Sequence, residues 1–144
     1  MEEVKKKIVA YLATRPYMNL ATIKPDGSPA AHTVGYANDG AVVYFMTHKE
    51  TRKLTHIQSN PKVAYTVDED CMELPKIQGV QMEGTATVLT EQSDIEKAGG
   101  LLGQKFGEME IPFMDEMVFV KVDPNEAYFI DNTQGFGHRD NVAY

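Results

Sequence analysis

The chain has 144 residues, 42% hydrophobic and 24% charged, enough for one domain with a real core and too few for two comfortable ones. Its net charge of -7 argues against nucleic acid as the main partner, because duplex binding needs a net basic face. The single cysteine, Cys71, excludes an internal disulfide framework and suits a reducing cytoplasm, while the absence of a long apolar run and the acidic Glu2-Glu3 start speak against a membrane span or a signal peptide.

Val4, Ile8, Tyr11 and Leu12 fall at helical spacing, so an amphipathic helix is predicted from about Glu3 to Thr14, ended by Pro16. From Tyr17 the period becomes two, with Met18, Leu20 and Thr22 on one face and Asn19, Ala21 and Ile23 on the other. Pro25-Asp26-Gly27-Ser28 is a turn, and a second strand from about Pro29 to Ala37 pairs back antiparallel. Asn38-Asp39-Gly40 turns the chain again into Val42–Thr47, a β-branched and aromatic strand. Thr51 is placed to cap a short helix whose apolar stripe is Leu54 and Ile57. Asn60-Pro61 stops that helix before the strand Val63–Val67.

Residues 68–73 read as a polar loop, and a long strand follows from about Gln78 to Leu89, with Gly79 and Gly84 as bulge or bend positions. Thr90 or Ser93 can cap a further helix, which Gly99-Gly100 and Gly103 should weaken. Met109 to Met114 is irregular. Met117–Val122 is a strand, interrupted by Pro124 and resumed or turned over Ala127–Ile130. Residues 131–144 show no apolar period and form an extended tail carrying Gly135-Phe136-Gly137-His138-Arg139. Hairpins dominate, so the class is mainly antiparallel β with flanking helices, six or seven strands in one domain over 1–144, closed towards a barrel.

Hydrolytic and metal signatures are missing. No serine sits in a Gly-x-Ser-x-Gly elbow, Cys71 has no neighbouring His, and His32, His48, His56 and His138 include no pair at metal-binding helix spacing. The exception is the start of the short helix. Lys49, Arg52 and Lys53 crowd a terminus where the helix dipole is already positive, an arrangement that a bound anion would reverse in sign. Its alternative is a solvated charged face. Thr47, at the end of the preceding strand, can face a ligand whose phosphate rests on that helix start.

The run Leu20-Ala21-Thr22 through Asp26-Gly27-Ser28-Pro29, then Tyr44-Phe45-Met46-Thr47, Thr51-Arg52-Lys53 and Asn60-Pro61-Lys62-Val63, resembles the pyridoxamine-5'-phosphate-oxidase-like, FMN-binding split barrels. The pieces match in order and spacing from about Tyr17 to Leu89. The resemblance implies a Greek-key-like split barrel with FMN at the interface of a homodimer. Arg52 and Lys53 would bind the FMN phosphate beside Thr51, and Met46 and Thr47 would lie along the ring or ribityl chain. His32, Thr33, Val34, Gly35 and Tyr36 would offer backbone groups to the flavin, and Gln78, with Gln81 as competitor, would come from the partner subunit. Phe136 and His138 could cover the ring if the tail folds over it. True pyridoxamine phosphate oxidases carry Arg where this chain has His32 and Lys where it has Ala37, and they use a C-terminal Trp that is absent here. The expectation is therefore an FMN-dependent oxidoreductase of unassigned substrate and not a vitamin-B6 oxidase. A non-catalytic FMN carrier or redox sensor, or a split barrel holding haem or a deazaflavin, is the alternative.

Overall fold

A computed structural model describes residues 1–108 and 110–144; the expected irregular stretch from Met109 therefore begins on a residue outside the described ones. Helix α1 (Glu2–Thr14) leads into β1 (Tyr17–Ile23), β2 (Pro29–Gly35), β3 (Ala37–Asp39) and β4 (Val42–His48). Helix α2 (Arg52–Ser59) and β5 (Lys62–Asp68) follow, then β6 (Gln78–Val88), α3 (Gln92–Phe106), β7 (Met117–Asp131) and β8 (Arg139–Ala143). All neighbouring strands are antiparallel, in the order β2-β1-β5-β6-β7-β4-β3 with β8 also on β7. The ends of this curled sheet approach each other where β2 nears β4, but the two strands exchange no ladder. That open seam makes the barrel a split one.

The strand periodicity places the core. Met18, Leu20 and Thr22 of β1 are buried while Tyr17 and Asn19 are exposed, and Val63, Tyr65 and Val67 repeat the pattern on β5. Ile8, Tyr11 and Leu12 of α1 close one side of this core, and Leu54 and Ile57 of α2 close another. The α2 stripe is the one its sequence spacing predicts.

Four boundaries differ from the sequence reading, each for a visible reason. The second strand ends at Gly35, because Tyr36 turns its ring fully into the core and its hydroxyl donates to the Leu12 carbonyl at 2.6 Å. Pro124 does not interrupt β7; it lies opposite Gly84, where a bulge between Glu83 and Gly84 shifts the register, so the missing N–H falls at an irregularity the ladder already contains. Helix α3 runs through its glycines to Phe106, with Ala98 and Leu102 buried and Gly99 against the Phe119 ring, so packing outweighs propensity. Its N-cap is Glu91, and neither Thr90 nor Ser93 caps it. Finally, the tail carries a strand: residues 139–143 pair with Ile130 back to Glu126. With β3 and β8 counted, the strands among the described residues number eight.

Gly84 sits at the bulge where β6 and β7 approach most closely around its missing side chain. A Cβ there would lie 2.5 Å from the Asp123 carbonyl oxygen and 2.8 Å from Val122 Cγ1. Because backbone and core would both have to move, Gly84→Ala should cost about 1–3 kcal/mol, as overpacking does, and lower the midpoint of urea unfolding. An unchanged midpoint would show that the bulge does not need glycine.

Candidate functional site

Where the chain leaves β4, a directional hydrogen-bond chain fixes the start of α2. Lys53 Nζ donates to Thr47 Oγ1 at 3.4 Å, Thr47 and Thr51 share a 2.8 Å hydroxyl contact, and Thr51 Oγ1 donates to the His48 carbonyl at 3.0 Å. Thr51 therefore occupies the N-cap position without capping: its hydroxyl is spent on the loop, and no side chain caps α2. The first N–H groups of an uncapped helix remain available to an anion.

The three cations expected at this terminus divide. Lys49 turns away towards Glu116, with 4.0 Å between Nζ and Oε1, and its N–H donates to the Glu116 carbonyl at 2.9 Å. Glu116 also accepts from His48 Nε2 at 2.7 Å, and this hydrogen bond holds its carboxyl below the usual range. His48 Nδ1 accepts from the Glu50 N–H, which leaves the ring hydrogen on Nε2. Arg52 and Lys53 are different: among the described residues neither forms an ion pair with a carboxylate. Burial pushes the Lys53 ammonium below its ordinary pKa, and neighbouring Arg52 pushes it further. Two unneutralised cations in a protein of net charge -7 make a local site for negative charge.

A third basic group joins them from β2. The β1–β2 register sets His32 opposite Leu20, on the inward face. Its Nε2 lies 2.9 Å from Thr22 Oγ1, which in turn lies 2.8 Å from Nδ1 of His56 on α2. The His32 pKa is lowered, first by burial and then by Lys53, His56 and Arg52. Thr22 and His56 carry no sequence motif that singles them out; the β1 alternation puts Thr22 inside, and the α2 stripe puts His56 beside it.

The remaining expected residues fall in two groups. Gly35 and Met46 face each other across the seam, where with Tyr17, Leu102 and Phe106 they line a cavity of about 240 Å³. Thr33 is exposed and donates to Asn19 Oδ1 at 3.5 Å, Val34 is buried, and Tyr36 is committed to the core, so this segment can offer backbone groups only. Because β2 pairs with β1 alone, its second edge is free along the seam. Gln78 lies elsewhere. It donates to Asp131 Oδ1 at 3.1 Å and its carbonyl accepts from Tyr11, at the end of β6 away from α2. Gln81 stands exposed on the outer sheet face beside Asn19, Thr66 and Tyr128. Phe136 is 77% exposed, His138 contacts Asp140, and the Arg139 guanidinium lies 5.0 Å over the Tyr128 ring, all remote from Arg52 within one chain.

Comparison with known proteins identifies the family that carries this fold. The family described as Pyridoxamine 5'-phosphate oxidase matches residues 4–131. The chain belongs to that family. It is 31% identical over 70 residues to general stress protein 26 of Bacillus subtilis, a match that spans 49% of each protein. The crystal structure of general stress protein 26 from Bacillus anthracis superposes with a TM-score of 0.74 at 20% identity, covering 99% of both chains. HutZ, described as a haem storage protein of Vibrio cholerae, gives a TM-score of 0.71 at 17% identity over 86% of this chain and 89% of its own. At these identities the structures establish the split-barrel fold. No helix is long and apolar enough to cross a membrane among the described residues.

One basic side chain near the seam was not legible in the sequence. Lys105, in the last turn of α3, holds Nζ 3.7 Å over the Tyr36 ring with no hydrogen-bond partner, and burial lowers its pKa to about 8. A lysine whose folded pKa is below the unfolded value near 10.5 weakens the fold where it must be charged, and this penalty fades as pH rises from about 8 to 10.5. Lys105→Met should therefore stabilise the protein most near pH 7 and progressively less towards pH 10, measured by urea unfolding at each pH. A pH-independent difference would remove the burial penalty from the account.

Proposed function

We propose that this protein binds FMN and acts as a flavin-dependent oxidoreductase of cytoplasmic type, on a substrate the fold does not specify. The observation that carries the reading is the pair Arg52 and Lys53 at an uncapped helix start, neither paired with a carboxylate among the described residues, with Lys53 anchored to Thr47. A phosphate there would gain two charge-assisted contacts in addition to backbone N–H groups. The seam beyond it suits a planar ring: Met46 and Phe106 supply apolar walls, and the free β2 edge supplies backbone hydrogen bonds. A bound flavin supplies the electron transfer, while the protein binds and orients it and sets its electrostatics.

A homodimer completes the site in this reading. The outer sheet face carries Ala21, Ala64, Thr66 and Gln81 together with the charged Glu83, lining grooves of about 490 and 430 Å³. A second copy on this face would cover it and bring a glutamine across. Gln81 is better placed for that role than Gln78, whose amide is already committed to Asp131.

The mutational test separates the cations. Arg52→Ala and Lys53→Ala should each weaken FMN binding by about ten- to a hundredfold, the worth of about 1.5–3 kcal/mol for a hydrogen bond to a charged group. Lys49→Ala, whose ammonium faces Glu116, should change affinity less than threefold. Equal effects at all three positions would dissolve the phosphate assignment into general attraction. Native mass spectrometry should give a dimer carrying two FMN; a monomer with full flavin occupancy would refute the shared site. The second reading is haem, suggested by the likeness to HutZ. A Soret band from the purified protein, in place of a flavin spectrum, would decide for it.

A further inference from the structure

Thr22 is almost completely buried, at 1% exposure, and lies between two imidazoles. A threonine hydroxyl has one hydrogen to donate and lone pairs with which to accept. It can therefore donate to only one of the two ring nitrogens, and the other must itself carry a hydrogen and donate to Oγ1. Two neutral arrangements satisfy this. In one, His32 Nε2–H donates to Thr22, and Thr22 donates to His56 Nδ1. In the other, both bonds are reversed.

Protonation removes that freedom. A charged His32 bears hydrogen on both nitrogens, so its Nε2 must donate to Thr22. Thr22 then donates to His56 Nδ1, and His56 stays neutral with its hydrogen on Nε2. Charging His56 as well would set two N–H groups against one hydroxyl and leave the hydroxyl hydrogen without a ring acceptor. The pair is therefore built to accept one proton in its first step. Because His56 is 6% exposed whereas His32 is only half-buried, with Nδ1 free of protein partners, the proton belongs on His32 Nδ1.

We propose that Thr22 and His56 hold His32 as the proton acceptor of the cleft, so that binding of a phosphate-bearing cofactor is coupled to uptake of one proton on His32 Nδ1. The charged groups facing His32 are Lys53 and Arg52, with the titratable His56 beside them, all on α2; burial opposes its protonation first and these neighbours add to that. An anion at Arg52 and Lys53 offsets two of these repulsions. His32 then binds a proton more tightly and, by linkage, protonated His32 binds the anion more tightly. From the arrangement in which His32 Nε2–H donates to Thr22, the proton comes from solvent, Nδ1 gains it, and no other bond in the network breaks. Thr22 and His56 are positioning residues. This inference rests on the cofactor reading above, and it adds that the loaded site carries a proton ready to be given to whatever approaches the bound ring.

Calorimetric titration of the apoprotein with FMN, in two buffers of different ionisation enthalpy, counts the protons taken up. The FMN phosphate titrates near pH 6, so the quantity that matters is wild type minus His32→Gln. Positive uptake in that difference is expected, with affinity tightening as pH falls by up to about tenfold per pH unit relative to His32→Gln. Thr22→Ser should keep the uptake and Thr22→Val should lose it. Equal uptake in wild type and His32→Gln would overturn the proposal. Nitrogen-15 NMR of the wild-type imidazoles tests the lock without mutation: as His32 is titrated, His56 should stay neutral with hydrogen on Nε2, and simultaneous charging of both rings would overturn it. If FMN does not bind at all, the cofactor reading fails separately. The same NMR titration with inorganic phosphate then decides the coupling, which requires the His32 pKa to rise and is refuted if it does not move.

Discussion

A strand of fifteen residues cannot be satisfied by one ordinary neighbour on each edge, and β7 is such a strand. Along one edge it pairs with β6 from Val120 to Asp131, over the bulge at Gly84. Along the other it takes β4 over its first half and β8 over its second. Dividing one edge between two partners forces the sheet to curl, because the halves leave β7 in different directions. The curl brings β4 round towards β2 without closing the ladder. The cleft is thus a product of strand pairing, and the side chains that line it follow from where β2, β4 and α2 must stop.

Charge is distributed on this frame with a clear division. Glu116 collects His48 and Lys49 on one side of the β4–α2 junction. On the other side, Arg52, Lys53 and His32 are brought together with no acid among them, and the Lys53 and His32 pKa values both fall below their ordinary values as a result of burial and mutual repulsion. Such an assembly is unfavourable in isolation and becomes favourable only with negative charge present. Thr47, Thr51 and Thr22 hold it in place through hydroxyls that each serve as both donor and acceptor in the arrangement described.

Much of this was legible in the sequence because it depends on local rules. The alternation in β1 and β5, the Leu54–Ile57 stripe, the turns at Asp26-Gly27 and Asp39-Gly40, and the glycine at the bulge are short-range signals, and each appears in the structure. The family resemblance rested on the same segments. What escaped was non-local. Pro124 looked like a break because its bulge partner Gly84 lies forty residues earlier in the chain. Residues 139–143 looked like a tail because a polar edge strand has little apolar period of its own and is defined by the edge it joins. The split between Lys49 and its neighbours depends on Glu116, and the pairing of His32 with His56 depends on Thr22. Spacing along the chain carries no trace of either.

The division of β7 also fixes an order of events during synthesis. Strands β1, β2, β5 and β6 lie side by side and are complete once residue 88 has emerged. The β3–β4 hairpin is made earlier still, yet apart from β3 its only ladder partner is β7, whose residues come about seventy positions later. Until then Val43 and Phe45, both fully buried in the finished fold, have no sheet to complete, and an apolar strand edge stands open. Long-range pairing of this kind slows folding and exposes the chain to association while it waits. The β4 wall of the seam, translated before β5 and β6, is therefore among the last parts of the sheet to be sealed.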